Sequence, residues 1–187
     1  MLKLYGGAFS RASIVQWYLE ELEVPYEFVM LDMKAGEHLQ PEYLAINPMG
    51  KVPAITDGDF QLWESGAILL YLADKYEKAK LFLEERAQLN QWILFANATL
   101  GPGIFIEANR DREMPRLMTA LERIFGQQSY LLGQQFSVAD VAVGSILSYI
   151  PTLLKLDLSA YPAVVNYTKQ LAKRPAFQKS IGSRHSR

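Results

Sequence analysis

The chain has 187 residues, half of them apolar, with 19 Lys and Arg against 20 Asp and Glu, no long run of either sign, and no cysteine. That length buries a sizeable core as one large domain or two small ones, and the balanced charge leaves no basic stripe for nucleic acid or an anionic membrane. Without cysteine there are no disulfides, no thiolate metal sites and no redox cycle through a protein thiol, so any thiol chemistry uses a thiol supplied by a ligand.

Leu2 to Tyr5 is a short strand-like run, ended at Gly6-Gly7 where the backbone must turn. The start carries no charged region followed by an apolar core, and no segment approaches the roughly 20 apolar residues that span a bilayer, so the cytosol is the expected compartment. Ser10 to Leu22 reads as a helix: Ile14, Val15, Tyr18, Leu19 and Leu22 share one face, Ser10 suits the N-cap, and Pro25 stops the pattern. Tyr26 to Leu31 is a second strand. Strand, helix and strand within about 30 residues make a βαβ unit, with the two strands parallel through a right-handed crossover.

Asp32 to Asn47 is less regular, punctuated by Gly36 and Pro41, with one short helical piece around Glu42 to Ile46. Loops at a sheet edge often carry binding groups, and Lys34, His38 and Lys51 lie in or beside this one. Each could meet the carboxylate of a peptide. Each could equally be a solvated cation, or a histidine bonded to nearby backbone, and Lys34 is read that way.

Asn47 to Ala67 organises the first half. Asp57-Gly58 between two apolar runs is a hairpin signal, so Val52 to Thr56 and Phe60 to Trp63 are expected to pair antiparallel. Pro53 cannot donate to a ladder, and a cis Val52–Pro53 bond is expected, leaving the N–H and C=O of Val52 for an extended ligand strand. Glu64-Ser65 falls where the second strand turns into a helix carrying Ile68, Leu69, Leu72 and Tyr76, with Ser65 as N-cap. The orphan N–H groups of that helix end favour a carboxylate, and Glu64 could hold an ammonium beside it. The pair suits the zwitterionic head of a short peptide, although an ordinary hairpin followed by an ordinary helix accounts for the same residues.

Composition turns charged around Glu77 to Lys80, which marks a domain boundary, and the remainder reads as helix. Leu81 to Leu100 carries Trp92, Leu94 and Phe95 and is broken or kinked at Gly101-Pro102-Gly103. A further helix is expected from Pro115 in its first turn to Phe125, ended by Gly126. In Phe136-Ser137-Val138-Ala139-Asp140, Ser137 and Asp140 have N-cap and N3 spacing, leading into the small-residue run Val141 to Ser145 of a centrally packed helix. Tyr161-Pro162 to Arg174 and Pro175-Ala176-Phe177 complete the set.

Val52-Pro53 followed by Trp63-Glu64-Ser65-Gly66-Ala67-Ile68 resembles the glutathione-binding half of the glutathione transferases, and Gly36-Glu37-His38-Leu39-Gln40-Pro41-Glu42-Tyr43-Leu44 with Ile46-Asn47-Pro48 is similar to their delta and theta classes. The resemblance spans nearly the whole chain. It implies α/β plus all-α architecture: a thioredoxin-like glutathione-binding domain at 1–76, a linker at 77–80, and a helical bundle domain at 81–187 that contributes an electrophile pocket. The implied function is conjugation of the glutathione thiol to small hydrophobic electrophiles in detoxification by a homodimer, with glutathione as co-substrate, no metal, and no nucleic-acid or membrane partner. A non-catalytic interaction or stress protein of the same fold, or a glutathione-dependent isomerase or peroxidase, are the alternatives.

The implied glutathione-binding residues are His38, Lys51, Val52, Pro53, Glu64 and Ser65. The family's histidine after Asn-Pro is replaced by Gly50 and its arginine after Glu-Ser by Gly66, so the glycine carboxylate is held differently or less firmly. A free thiol with pKa around 8.5 is mostly protonated at neutral pH, and a hydroxyl donor, a helix N-terminus and a nearby cation lower it. Gly7-Ala8-Phe9-Ser10-Arg11-Ala12-Ser13 resembles the beta class with Phe9 in the place of its cysteine, or delta and theta with Gly7 in the place of their serine. Ser10 and then Arg11 are the expected activating groups.

Overall fold

The structure, a computed structural model, describes residues 1–77 and 82–184. The chain divides into two compact units, one of Met1–Lys80 with Lys179–Arg187 and one of Leu81–Gln178. Of the linker expected at 77–80, residues 78–80 lie outside the described residues.

The first unit runs β1 (Leu2–Gly6), α1 (Ala12–Glu21), β2 (Tyr26–Met30), a 3-10 turn (Glu37–Leu39), α2 (Pro41–Leu44), β3 (Ala54–Asp57), β4 (Phe60–Trp63) and α3 (Ser65–Tyr76). The sheet order is β2-β1-β3-β4, with β1 parallel to β2 and antiparallel to β3, and β3 antiparallel to β4. Leu4 pairs with Phe28 on one side and Ile55 on the other. This is the expected thioredoxin-like arrangement. Leu2, Leu4 and Ile55 from the sheet, Ile14, Val15 and Leu19 from α1, and Ile68, Leu69 and Leu72 from α3 are all buried. Each such side chain contributes about 1.5–3 kcal/mol relative to exposure.

Helix α1 is shorter than its apolar pattern. It ends at Glu21 because Glu23 adopts a left-handed φ of 53°, letting the Glu23 N–H donate to Glu20 O (3.3 Å) and the Val24 N–H to Leu19 O (3.1 Å). These are the paired bonds of a Schellman turn. Strand β3 begins at Ala54 instead of Val52, since Pro53 supplies no donor. Gly58, at φ 63°, makes the hairpin turn. Asp57 at the end of β3 accepts from Tyr71 Oη (2.8 Å) and from Lys75 Nζ, fastening the hairpin to α3; the Lys75 bond holds the Asp57 carboxyl below the usual carboxylate range.

In the second unit α4 (Leu83–Leu94), a π-turn (Phe95–Leu100), α5 (Gly101–Phe105) and α6 (Glu107–Phe125) precede α7 (Val138–Tyr149), a second π-turn (Ile150–Leu154), α8 (Pro162–Ala172) and α9 (Pro175–Lys179). The Gly101-Pro102-Gly103 signal does not end the helical path: α5 follows the π-turn directly, with Pro102 in its first turn, where a missing N–H costs little. Helix α6 starts at Glu107, well before Pro115, which lies in its interior. Pro115 and Asp111 are both exposed, so the carbonyl that loses its donor can take water.

Helix α7 is buried throughout Val138 to Leu147 and contacts α4 and α8. Its start is the expected capping box. Asp140 Oδ2 accepts from Ser137 N (2.9 Å) and Ser137 Oγ (3.2 Å), while Oδ1 accepts from Leu131 N (2.9 Å) and Tyr167 Oη (2.8 Å). The Tyr167 ring stacks on Phe125 at 3.7 Å between centroids. Burial raises the Asp140 carboxyl above its usual range against the pull of those four donors. Among the described residues no helix is long and apolar enough to cross a membrane.

Candidate functional site

A cavity of about 720 Å³ opens in the first unit, within the usual range for small-ligand sites. Its lining brings together every residue singled out for glutathione or its thiol: Ser10, Arg11, His38, Lys51, Val52, Pro53, Glu64 and Ser65. Lys34 does not line it. Met33, Asn47, Met49 and Gly50 complete the wall.

The Val52–Pro53 bond is cis. Among the described residues the Val52 N–H and C=O have no hydrogen-bond partner, whereas the preceding carbonyl, of Lys51, is held twice, by Tyr43 Oη (2.5 Å) and Asn47 Nδ2 (2.7 Å). Asn47 is buried, and its side-chain oxygen also accepts from Met49 N (3.0 Å) while its carbonyl accepts from Gly50 N (3.0 Å). It thereby pins the whole bend before Val52. Burial pushes the Tyr43 phenol up to about 12, so it stays a donor at neutral pH. Gly50 takes φ 60°, and a Cβ there would lie 2.9 Å from a Leu39 methyl and 3.2 Å from the His38 carbonyl, so no other residue fits this bend without displacing the 3-10 turn.

Glu64 has φ 71° and ψ 119°, a conformation that costs a non-glycine residue roughly 1–3 kcal/mol. Glu64, not Ser65, is the N-cap of α3; its carbonyl accepts from Ile68 N (3.0 Å), and its carboxylate makes no capping bond. Ser65 is instead the first helical residue and is buried. An exposed carboxylate therefore stands on strained backbone beside the first amides of a 12-residue helix. Such a pair presents opposite charges to the two ends of an amino-acid head.

Ser10 is not the N-cap of α1 in the usual sense, since Arg11 occupies that position. Its Oγ accepts from Gly7 N (3.1 Å) and Ala12 N (3.3 Å) and donates to Gly7 O (3.1 Å), closing the turn between β1 and α1. The Arg11 side chain is exposed. His38 Nδ1 is enclosed and, among the described residues, has no hydrogen-bond partner. Sequence reading did not find Met33 or Asn47 as cavity residues; the Asn-Pro ahead of the hairpin was the available signal for Asn47, and nothing local marks Met33.

Family models match both units: "Glutathione S-transferase, N-terminal domain" over residues 1–74 and "Glutathione S-transferase, C-terminal domain" over residues 105–184. The chain is 32% identical to the disulfide-bond oxidoreductase YfcG of Escherichia coli, covering 94% of this chain and 92% of that one. It is likewise 32% identical to the probable glutathione S-transferase GSTF2 of Oryza sativa, over 95% and 94% of the two chains. Among solved structures, the glutathione transferase URE2P6 of Phanerochaete chrysosporium, in complex with oxidized glutathione, superposes with a TM-score of 0.87 at 30% identity, over 99% of this chain and 96% of that one.

Proposed function

Since the chain belongs to the glutathione S-transferase family, we propose that it binds glutathione in the cavity of its first unit and conjugates the thiol to small hydrophobic electrophiles, acting in the cytosol without a metal. The observation that carries this reading is the backbone of Val52, unpaired among the described residues, which lines the same cavity as the strained Glu64 and the start of α3. The cysteinyl backbone of the tripeptide pairs with Val52 as a short antiparallel strand. The γ-glutamyl head puts its ammonium on Glu64 and its carboxylate at Ser65 and the first amides of α3. His38 and Lys51 take the glycine carboxylate.

This leaves the thiol to Ser10 and Arg11. Lowering a thiol pKa by two units requires roughly 2.7 kcal/mol of preferential stabilisation of the thiolate. The exposed Arg11 guanidinium supplies part through space, and the Ser10 hydroxyl supplies a donor when its proton turns from Gly7 O to the ligand sulfur. Retention on immobilised glutathione followed by turnover of a panel of electrophiles tests the reading; a protein that neither binds glutathione nor consumes any electrophile defeats it.

A second reading, glutathione-dependent reduction of disulfides or peroxides through the same cavity, is favoured by the name of the Escherichia coli relative and by the ligand of the fungal neighbour. Turnover of a mixed disulfide exceeding that of every electrophile selects it. The protein is further proposed to be a homodimer, because Met49 and Phe60 in the first unit and Leu94 in the second leave large apolar side chains exposed. A species of 21.2 kDa in sedimentation at micromolar concentration contradicts the dimer.

A further inference from the structure

Gly7 opens the turn between β1 and α1 and is not among the residues with positive φ, so its backbone is one that alanine or serine also adopts. The reason for glycine is space. A Cβ on Gly7 would lie 2.5 Å from Met33 Cγ and 3.3 Å from the Met33 sulfur. The half-buried Met33 lines the cavity together with Ser10 and Arg11, and the Gly7 N–H is already given to Ser10 Oγ. Gly7 thus lies behind two residues of the cavity wall, packed under Met33 and hydrogen-bonded to Ser10.

Resting on the glutathione reading above, we infer that Met33 is a ligand-facing residue of this site, packed over Gly7 and forming the wall against which the thiol end of the bound tripeptide lies. Gly7 and the methionine above it are therefore a single coupled arrangement, in which any side chain at position 7 must displace Met33. A thioether offers only a weak acceptor and no donor. Met33 consequently shapes the site and excludes water while adding no hydrogen bond to a thiolate. Activation falls to Ser10, Arg11 and the backbone, and the thiol keeps a higher pKa than a donor at position 33 would give it.

Two experiments test this. On ligand-free protein, Gly7→Ala is expected to lower the melting temperature, and adding Met33→Ala to the same chain to recover most of that loss; no recovery shows that Met33 does not fill the space over Gly7 and overturns the inference. On glutathione-bound protein, Met33→Ser and the nearly isosteric Met33→Gln each place a donor in the wall. Both are expected to lower the pKa of the bound thiol, read from thiolate absorbance, by about one unit. Turnover below the wild-type thiol pKa should rise several-fold while KM for glutathione moves by less than about threefold, a split that a purely packing role does not produce. If wild-type protein binds glutathione and both variants titrate as it does, Met33 does not face the thiol. If wild-type protein fails to bind glutathione, the parent reading falls and this one falls with it, whatever the melting data show.

Discussion

The polar cluster at the start of α7 and the polar cluster around the cavity treat their hydrogen-bonding capacity in opposite ways. In the first, both oxygens of Asp140 are engaged, by Leu131 N, Tyr167 Oη, Ser137 N and Ser137 Oγ, and the carboxylate is buried. In the second, Glu64 presents an exposed carboxylate from strained backbone, and among the described residues Val52 has both main-chain groups without a partner and the enclosed His38 Nδ1 is unmatched. A satisfied buried network rigidifies a fold, whereas unmatched groups and strain persist where something outside the chain completes them. The difference separates residues that serve folding from those that serve a ligand, although both clusters lie at helix N-termini.

Perturbing the two clusters should therefore give opposite patterns. The largest effect is expected from Asp140→Ala, which leaves two buried donors, Leu131 N–H and Tyr167 Oη–H, and two half-buried ones on Ser137 without their acceptor and should lower stability by about 3–5 kcal/mol in denaturant titrations while sparing glutathione affinity in whatever fraction remains folded. Ser10→Ala should cost about 1 kcal/mol, since Gly7 and Ala12 lose the hydroxyl that closes their turn, and should also raise the pKa of bound glutathione; a stability loss with an unmoved thiol would reduce Ser10 to a turn residue. Glu64→Gly relieves the positive φ and should raise the melting point, by roughly 0.5–1 kcal/mol in stability, while glutathione binding weakens. A protein stabilised at the expense of its ligand marks strain held for function.

The smallest effect concerns pH. Burial raises the Asp140 carboxyl above 3.8, so the native state holds that proton more tightly than the unfolded chain. Its contribution is then greatest below pH 3.8 and declines as pH rises through the raised pKa. Asp140→Asn should remove this decline from the pH profile of stability, and an unchanged profile would remove Asp140 from it.

Elements whose signals are local were legible in the chain. The Ser137 and Asp140 spacing, the Asp57-Gly58 turn and the apolar face of α1 each depend on residues a few positions apart, and each forms where its residues indicate. The Glu64-Ser65 junction was legible in kind but not in detail, because which of the two becomes the cap depends on the φ that Glu64 adopts. Pro115 misled the start of α6, since a proline suits a first turn and an exposed helix interior alike. Met33 and Asn47 were not legible as cavity residues. They reach the wall only through the folding of the segment between β2 and β3, and Asn47 acts by holding the Lys51 carbonyl, a contact no periodicity encodes.

The central claim is that the cavity beside α3 binds a peptide head through Glu64, and calorimetric titration of glutathione into the Glu64→Gln variant tests it most directly. Glutamine keeps the size of the side chain and removes only its charge, so the fold should melt as the wild type does. Affinity is expected to fall by ~1.5–3 kcal/mol, or roughly 10- to 100-fold, because the ligand ammonium loses its partner. A variant that binds glutathione as tightly as the wild type would contradict the account.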